Sequence, residues 1–256
     1  MNTVNDISVV SLLLASSLVV MTLFFSYWQK LGLGKEIIVG AVRAVIQLLI
    51  VGFVLDYIFG YQSALFTAGL LLFMMLNASY NAAKRGKGIR HSAVISFVAI
   101  LSGTLITLAV LLLSGILRFV PNQIIPVGGM IISNSMVAIG LCYKQLNADF
   151  STKQAEVETK LALGADVLPA SIDIIREVIR TGMVPTIDSA KTLGIVTLPG
   201  MMTGLILAGT PPIQAVKYQM MVTFMLLSTT SIASFIATYL AYRSFFNNKK
   251  QLVLPS

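Results

Sequence analysis

Six stretches of this chain run for about 20 residues or more without a single charge. They cover residues 7–29, 57–83, 92–117, 119–143, 192–216 and 218–242, and a further stretch, 37–55, is broken only by Arg43. Each is long enough to cross a bilayer core as a helix. In lipid the backbone must satisfy its own hydrogen bonds, which leaves helices or closed barrels. Barrel strands would alternate apolar and polar residues, and these blocks are apolar on every side. The expected fold is therefore all-α, a polytopic membrane protein of about seven transmembrane helices in a single transmembrane domain spanning 1–256. Composition agrees: 11% of residues are charged, where soluble domains carry about 25%.

The spacing predicts helices near 7–28, 37–59, 63–82, 93–117, 124–143, 193–209 and 219–242. The connections then alternate between two sides. One side holds Arg118 and Lys217, while the other holds fifteen of the eighteen cations, and Arg43 lies inside a helix. The positive-inside rule places the cation-rich side in the cytoplasm. The N-terminus is expected outside and the C-terminus inside. The net charge of +8 thus reflects membrane orientation and gives no sign of a nucleic-acid partner. The start of the chain lacks a basic n-region, so 7–29 reads as a retained span. One cysteine, Cys142, excludes an internal disulfide framework.

Residues 144–191 break the apolar pattern. They hold seven of the ten acidic residues and six of the basic ones, and the topology makes them a cytoplasmic loop. Ser151 and Gln154 have the spacing of a capping box. Glu156 and Lys160 stand four apart, a supportive helical pair. Gly164 suits a helix stop. A second short helix is expected from Pro169, with Ile172, Ile175 and Ile179 on one face and an end at Gly182 and Pro185. Two amphipathic helices of this kind fill a partner's groove, lie on the lipid surface, or pack on their own bundle. Glu158 to Gly164, with Ile195 and Leu198-Pro199 downstream, resembles in order the glutamate-alanine-alanine loop by which bacterial ABC importer permeases dock on their ATPase. That resemblance makes Glu158, Lys160, Leu161, Gly164 and the three isoleucines the expected coupling residues.

Longer motifs carry a family resemblance. RAVIQLLIVGFVL (43–55), GGMIISNSMVAIGLCY (128–143), ETKLALGA (158–165), DSAKTLGIVTLPGMMTGLILAGTPP (188–212) and YQMMVTFMLLSTTS (218–231) resemble the FetB-type permeases. These are the membrane subunits of the Fet iron-export ABC system, and plant relatives are linked to aluminium tolerance. Ser133 departs from the pattern, where a glycine-like residue would precede Asn134. The resemblance implies a bacterial inner-membrane permease that works as a homodimer. It also implies two copies of a separate ABC ATPase, with ATP and Mg bound on that partner. The chain itself has no phosphate loop, because residues 32–35 lack the spacing of G-x-x-x-x-G-K-[ST]. It is thus expected to be a transport subunit and no enzyme.

Polar and flexible positions inside the spans mark a path or gate. Arg43 and Gln47 share a helical face. Arg43 either faces the bundle or reaches back to headgroups. Met130, Asn134 and Met136 lie on the fifth expected helix, and Pro199, Gly200, Met201 and Met202 on the sixth. Pro199 and Gly200 favour a bend there, and Gly200 with Gly204 permits close helix contact. A dimer seam along these two helices is a further reading of the same residues. No metal site is expected: a tight transition-metal site wants clustered His, Cys, Asp or Glu. His91 reads as a surface residue, and the methionines are soft ligands or apolar filling.

Other functional classes fit less well. An intramembrane protease needs an embedded histidine or two aspartates, and only Asp56 approaches that. A retinal protein needs a lysine in the last helix, and 218–242 has none. An ion-coupled secondary transporter remains the alternative, although it normally keeps carboxylates at mid-membrane. An ABC exporter of a non-metal small molecule is the other alternative.

Overall fold

In the computed structural model, residues 8–61 and 63–254 are described, and they are almost entirely helical. The helices are α1 (Val9–Trp28), α2 (Gly34–Tyr61), α3 (Ala64–Ala83), α4 (Ser92–Leu113), α5 (Pro121–Thr152), α6 (Gln154–Ala162), α7 (Val167–Thr192), α8 (Gly200–Leu207) and α9 (Pro212–Ala241). Among the described residues, six helices are long and apolar enough to cross a membrane: α1 to α5 and α9. The chain is an all-α, multi-pass membrane protein.

Contacts divide the described chain into two units. The first holds α1 and α2, with Leu207–Gly209; the second holds the remainder from Ser63. In the first unit α1 packs along α2, and nearly all side chains of both are exposed. An apolar surface of that kind belongs in lipid or against another membrane helix. The side chain of Asp56 lies outside the described residues.

The second unit is a bundle centred on α5, which touches α3, α4, α7 and α9. Small residues let the backbones close. A Cβ on Gly128 would lie 2.5 Å from Leu71, and one on Gly140 would lie 2.6 Å from Arg85, both on or just after α3. Across α4 and α9, Gly103 sits against the Thr229 carbonyl, and the Thr107 and Thr229 hydroxyls bond at 2.6 Å. Ser96 on α4 meets the Tyr143 hydroxyl at 3.0 Å. These hydroxyl pairs satisfy polar groups that lipid would leave unpaired.

Two expectations about the polar insert are corrected. Helix α5 does not stop near 143; it runs on to Thr152. Its lower half is amphipathic, with Tyr143, Leu146 and Phe150 fully buried at helical spacing. Ser151 consequently sits inside α5, and α6 starts after Lys153 without a side-chain cap. Likewise α7 is a 26-residue helix and no short docking helix. It begins at Val167, capped by Asp166, which accepts the Val167 N–H at 2.8 Å. It passes straight through Gly182 and Pro185. Gly182 is there for packing: a Cβ would come 2.5 Å from Cys142 Sγ and 2.7 Å from Ser234 Oγ.

The expected helix at 193–209 is helical only over the eight residues of α8. Gly194 adopts a left-handed φ of +79°, which glycine tolerates without penalty. The Thr192 carbonyl then accepts from Val196 at 3.0 Å, and Gly194 N–H donates to the Thr197 carbonyl at 2.9 Å. Pro199 has no N–H and pushes Leu198 out of the helical region. The chain therefore turns tightly over 193–199 before α8 begins.

Candidate functional site

Position along α7 falls as position along α5 rises. Cys142 Sγ lies 3.6 Å from the Val178 carbonyl, Gly182 meets Cys142 and the Ala138 carbonyl, and Thr186 and Ser189 lie by Asn134. Leu193 and Pro199 lie by Met130. Helix α7 is thus antiparallel to α5. It is antiparallel to α9 as well, since Ser234 faces Gly182 and Gln219 faces Leu193. Its second half, with the turn after it, packs alongside α5 and α9.

Two adjoining cavities open where α7 ends. The larger, about 220 Å³, is lined by Met130 on α5, by Ser189 and Leu193, by Pro199, Gly200 and Met201 at the break, and by Gln219 and Thr223 on α9. The smaller, about 110 Å³, is lined by Asn134, Gly182, Pro185, Thr186 and Ser189. Thr186, Ser189 and Leu226 border both. Irregular backbone at membrane depth is tolerated only where protein or a cavity takes it up, and 193–199 sits beside this one. Broken helices at a central cavity also mark substrate sites in other transporters.

The polar groups here are neutral. Gln219 Oε1 is buried and has no hydrogen-bond partner among the described residues. Asn134 donates its Nδ2 to the Met130 carbonyl at 2.8 Å, which leaves its oxygen for the cavity. Pro185 has no N–H to give the Thr181 carbonyl, one turn earlier. Among the described residues, no group of three or more His, Cys, Asp or Glu could hold a metal ion.

Five of the nine expected path residues come together at these cavities: Met130, Asn134, Pro199, Gly200 and Met201. Met136 and Met202 are half-buried and line neither cavity. Arg43 and Gln47 are exposed on α2, in the other unit. His91 is exposed at the start of α4 with a left-handed φ of 56°. Sequence reasoning missed Gln219, Thr186, Ser189 and Thr223. Gln219 was the visible signal, an amide inside an apolar block.

At the far end of α7 lies the segment expected to couple. Helix α6 ends in a Schellman motif: the Ala165 N–H reaches the Lys160 carbonyl at 3.0 Å and the Gly164 N–H reaches the Leu161 carbonyl at 3.0 Å. Gly164 carries the left-handed φ, +93°, that the motif requires. Lys160 bridges Glu156 at 2.7 Å and Asp173 on α7 at 3.1 Å. Lys160 holds the Asp173 carboxyl below its ordinary range, and Glu156 followed by Asp173 raises the Lys160 ammonium. Glu158 is exposed and accepts from Gln154 Nε2 at 2.8 Å. The isoleucine face is corrected: Ile175 is fully buried, and Ile172 and Ile179 are half-buried. That face packs on the bundle and is not free for a partner.

Comparison with known proteins agrees with this architecture. The chain matches the family described as "Uncharacterised protein family (UPF0014)" over residues 9–246. It is 52% identical over 244 residues to the probable iron export permease protein FetB of Escherichia coli K12, covering 95% of this chain and 94% of that one. It is 38% identical to the UPF0014 membrane protein STAR2 of rice, over 93% of this chain and 84% of the relative. It is 36% identical to the ALUMINUM SENSITIVE 3 protein of Arabidopsis thaliana, over 93% and 88%. No solved structure matches the chain. With the family match and these relatives spanning nearly its whole length, the chain belongs to the UPF0014 family of multi-pass membrane proteins.

Proposed function

We propose that this chain is the transmembrane permease subunit of an ABC exporter that moves iron, or a related metal species, out of the cytoplasm. A separate ATPase binds ATP and Mg and docks on α6, and the permease works as a homodimer in the bacterial inner membrane with its C-terminus inside. One observation carries the reading. Helix α7 joins the exposed α6 segment to the cavity: Asp173 holds Lys160 at one end, and Thr186 and Ser189 line the cavity at the other. From Asp173 to Ser189 the helix spans about 24 Å. A continuous helix of that length, interrupted in its hydrogen-bond ladder only at Pro185, carries a push on α6 to the cavity wall. The 52% identity to a probable iron export permease supports the cargo and the direction.

The neutral lining bears on how the cargo travels. Uncharged amide, hydroxyl and thioether groups do not hold a bare iron ion tightly. They suit brief contact with a hydrated or chelated species, which a transporter must release again.

The test is purification of the tagged chain from its native membranes in mild detergent. An ATPase bearing a phosphate loop is expected to co-purify, and cells lacking the chain are expected to retain more iron. Recovery of the chain free of any ABC ATPase counts against the reading, as does unchanged cellular iron.

A further inference from the structure

The C-terminal residues 246–252 look like a loose basic tail in sequence, but they fold into a hairpin. Phe246 and Leu252 pair as an antiparallel bridge. Asn247 closes the turn: its N–H donates to the Gln251 carbonyl at 3.0 Å, and its Oδ1 accepts the Lys249 and Gln251 N–H groups at 2.9 Å each. The base is anchored by Phe245, which is buried and stacks on Phe150 of α5 at 4.4 Å between ring centres. The side is anchored by Lys250, whose ammonium meets Asp166 at 2.8 Å. The Lys250 ammonium, then the Val167 N–H, hold the Asp166 carboxyl below its usual range.

This hairpin and α6 face each other across a groove of about 690 Å³. Glu158, Gly164 and Asp166 form one wall, and Lys249, Lys250 and Leu252 the other. Lys250 is spent on Asp166, whereas Lys249 is exposed and makes no ion pair among the described residues. The groove therefore offers a carboxylate on one wall, Glu158, and an ammonium on the other.

We propose that the hairpin is the second wall of the ATPase docking groove, and that Lys249 takes a carboxylate of the ATPase there. The inference rests on the docking reading above and adds a wall to it. The partner segment carries an acidic side chain opposite Lys249 and a donor opposite Glu158. Complementary charges of this kind set register and exclude wrong partners.

The probe is the ABC ATPase that co-purifies with the full-length chain. Lys249→Glu is expected to lower the amount retained about tenfold, an effect that shrinks at high salt, while Lys249→Arg retains it. A benzophenone maleimide on Lys249→Cys is expected to cross-link to the ATPase; Cys142 is buried and stays unlabelled in the folded chain. Equal retention by Lys249→Glu and Lys249→Ala, with no cross-link from position 249, overturns this inference and leaves docking at α6 standing. Failure of the unmodified chain to retain any ABC ATPase overturns the docking reading and this inference together.

Discussion

Lys160 on α6 holds Asp173 on α7 at 3.1 Å, across a left-handed glycine at 164. The bridge fixes the angle between the largely exposed α6 and a helix that borders the cavity. Both groups face solvent, so the bridge is expected to contribute little to global stability and much to how motion passes.

Asp173→Asn is accordingly expected to melt like the unmodified protein and to keep its ATPase. Metal efflux should fall several-fold, and ATP hydrolysis should continue without matching transport. Exchanging the pair, Lys160→Glu with Asp173→Lys, should recover part of the lost efflux. The measurements are efflux and hydrolysis in the same proteoliposomes. A loss of both in equal proportion would point to lost docking and not to lost coupling.

Gly182 tests the packing of α7 into the bundle. A Cβ there would press on Cys142 Sγ at 2.5 Å and Ser234 Oγ at 2.7 Å, with the Ala138 carbonyl at 3.3 Å. Gly182→Ala is expected to cost about 1–3 kcal/mol through overpacking. Adding Cys142→Ala removes the closest atom and should restore part of the loss, a coupling visible in a double-mutant cycle of thermal melts. Additive losses would mean that α7 does not sit against α5 at this level.

The same helix explains what was legible in the sequence. The apolar spans were plain, because long uncharged runs have one physical outcome in a membrane. Helix α7 was harder. Its charges, Asp173, Arg176, Glu177, Arg180, Asp188 and Lys191, are all exposed, while Ser171, Ile174, Ile175, Val178 and Gly182 form a buried stripe at helical spacing. Counting charges makes the segment a loop; reading the stripe makes it a bundle helix. Gly182 and Pro185 look like helix stops, yet one is a close-packing site and the other stays in the helix. Asn134, Pro199 and Gly200 stand out in the sequence because polar or bend-forming residues are conspicuous in apolar blocks, and they line the two cavities. The hairpin was not legible, since its hold depends on Asp166 and Phe150, far away in sequence.

The ion pairs at the groove set a pH window. Asp166 and Asp173 have lowered carboxyl pKa values in the folded chain, held down chiefly by Lys250 and Lys160 respectively. Their stabilising effect is present above the unfolded carboxyl value of about 4 and lost as pH falls through the lower folded value. Lys160 is raised, so its contribution is present below about 10.4 and lost as pH climbs through the higher folded value. The groove is expected to keep one geometry from about pH 5 to pH 9 and to open only well below the ordinary carboxyl value, as pH falls through the lowered folded values of Asp166 and Asp173. Spin labels on Leu163→Cys and Asn248→Cys, both exposed, measure this directly. A distance that changes between pH 6 and pH 8 would contradict it.

Gln219 gives the sharpest test of the cavity. Its amide oxygen is buried without a partner among the described residues, a state that costs about 1–3 kcal/mol for a polar group. A fold that keeps such a group gains nothing in stability from it. Gln219→Leu removes the unpaired oxygen and keeps most of the volume, so the folded chain should melt at the same temperature or higher. Cargo loses its best-placed acceptor, and efflux should fall about tenfold if that one contact is worth a typical hydrogen bond to a charged species. Met202→Leu, which touches neither cavity, should leave efflux unchanged. Efflux unaffected by Gln219→Leu, with Met202→Leu equally silent, would move the path away from the α7 break.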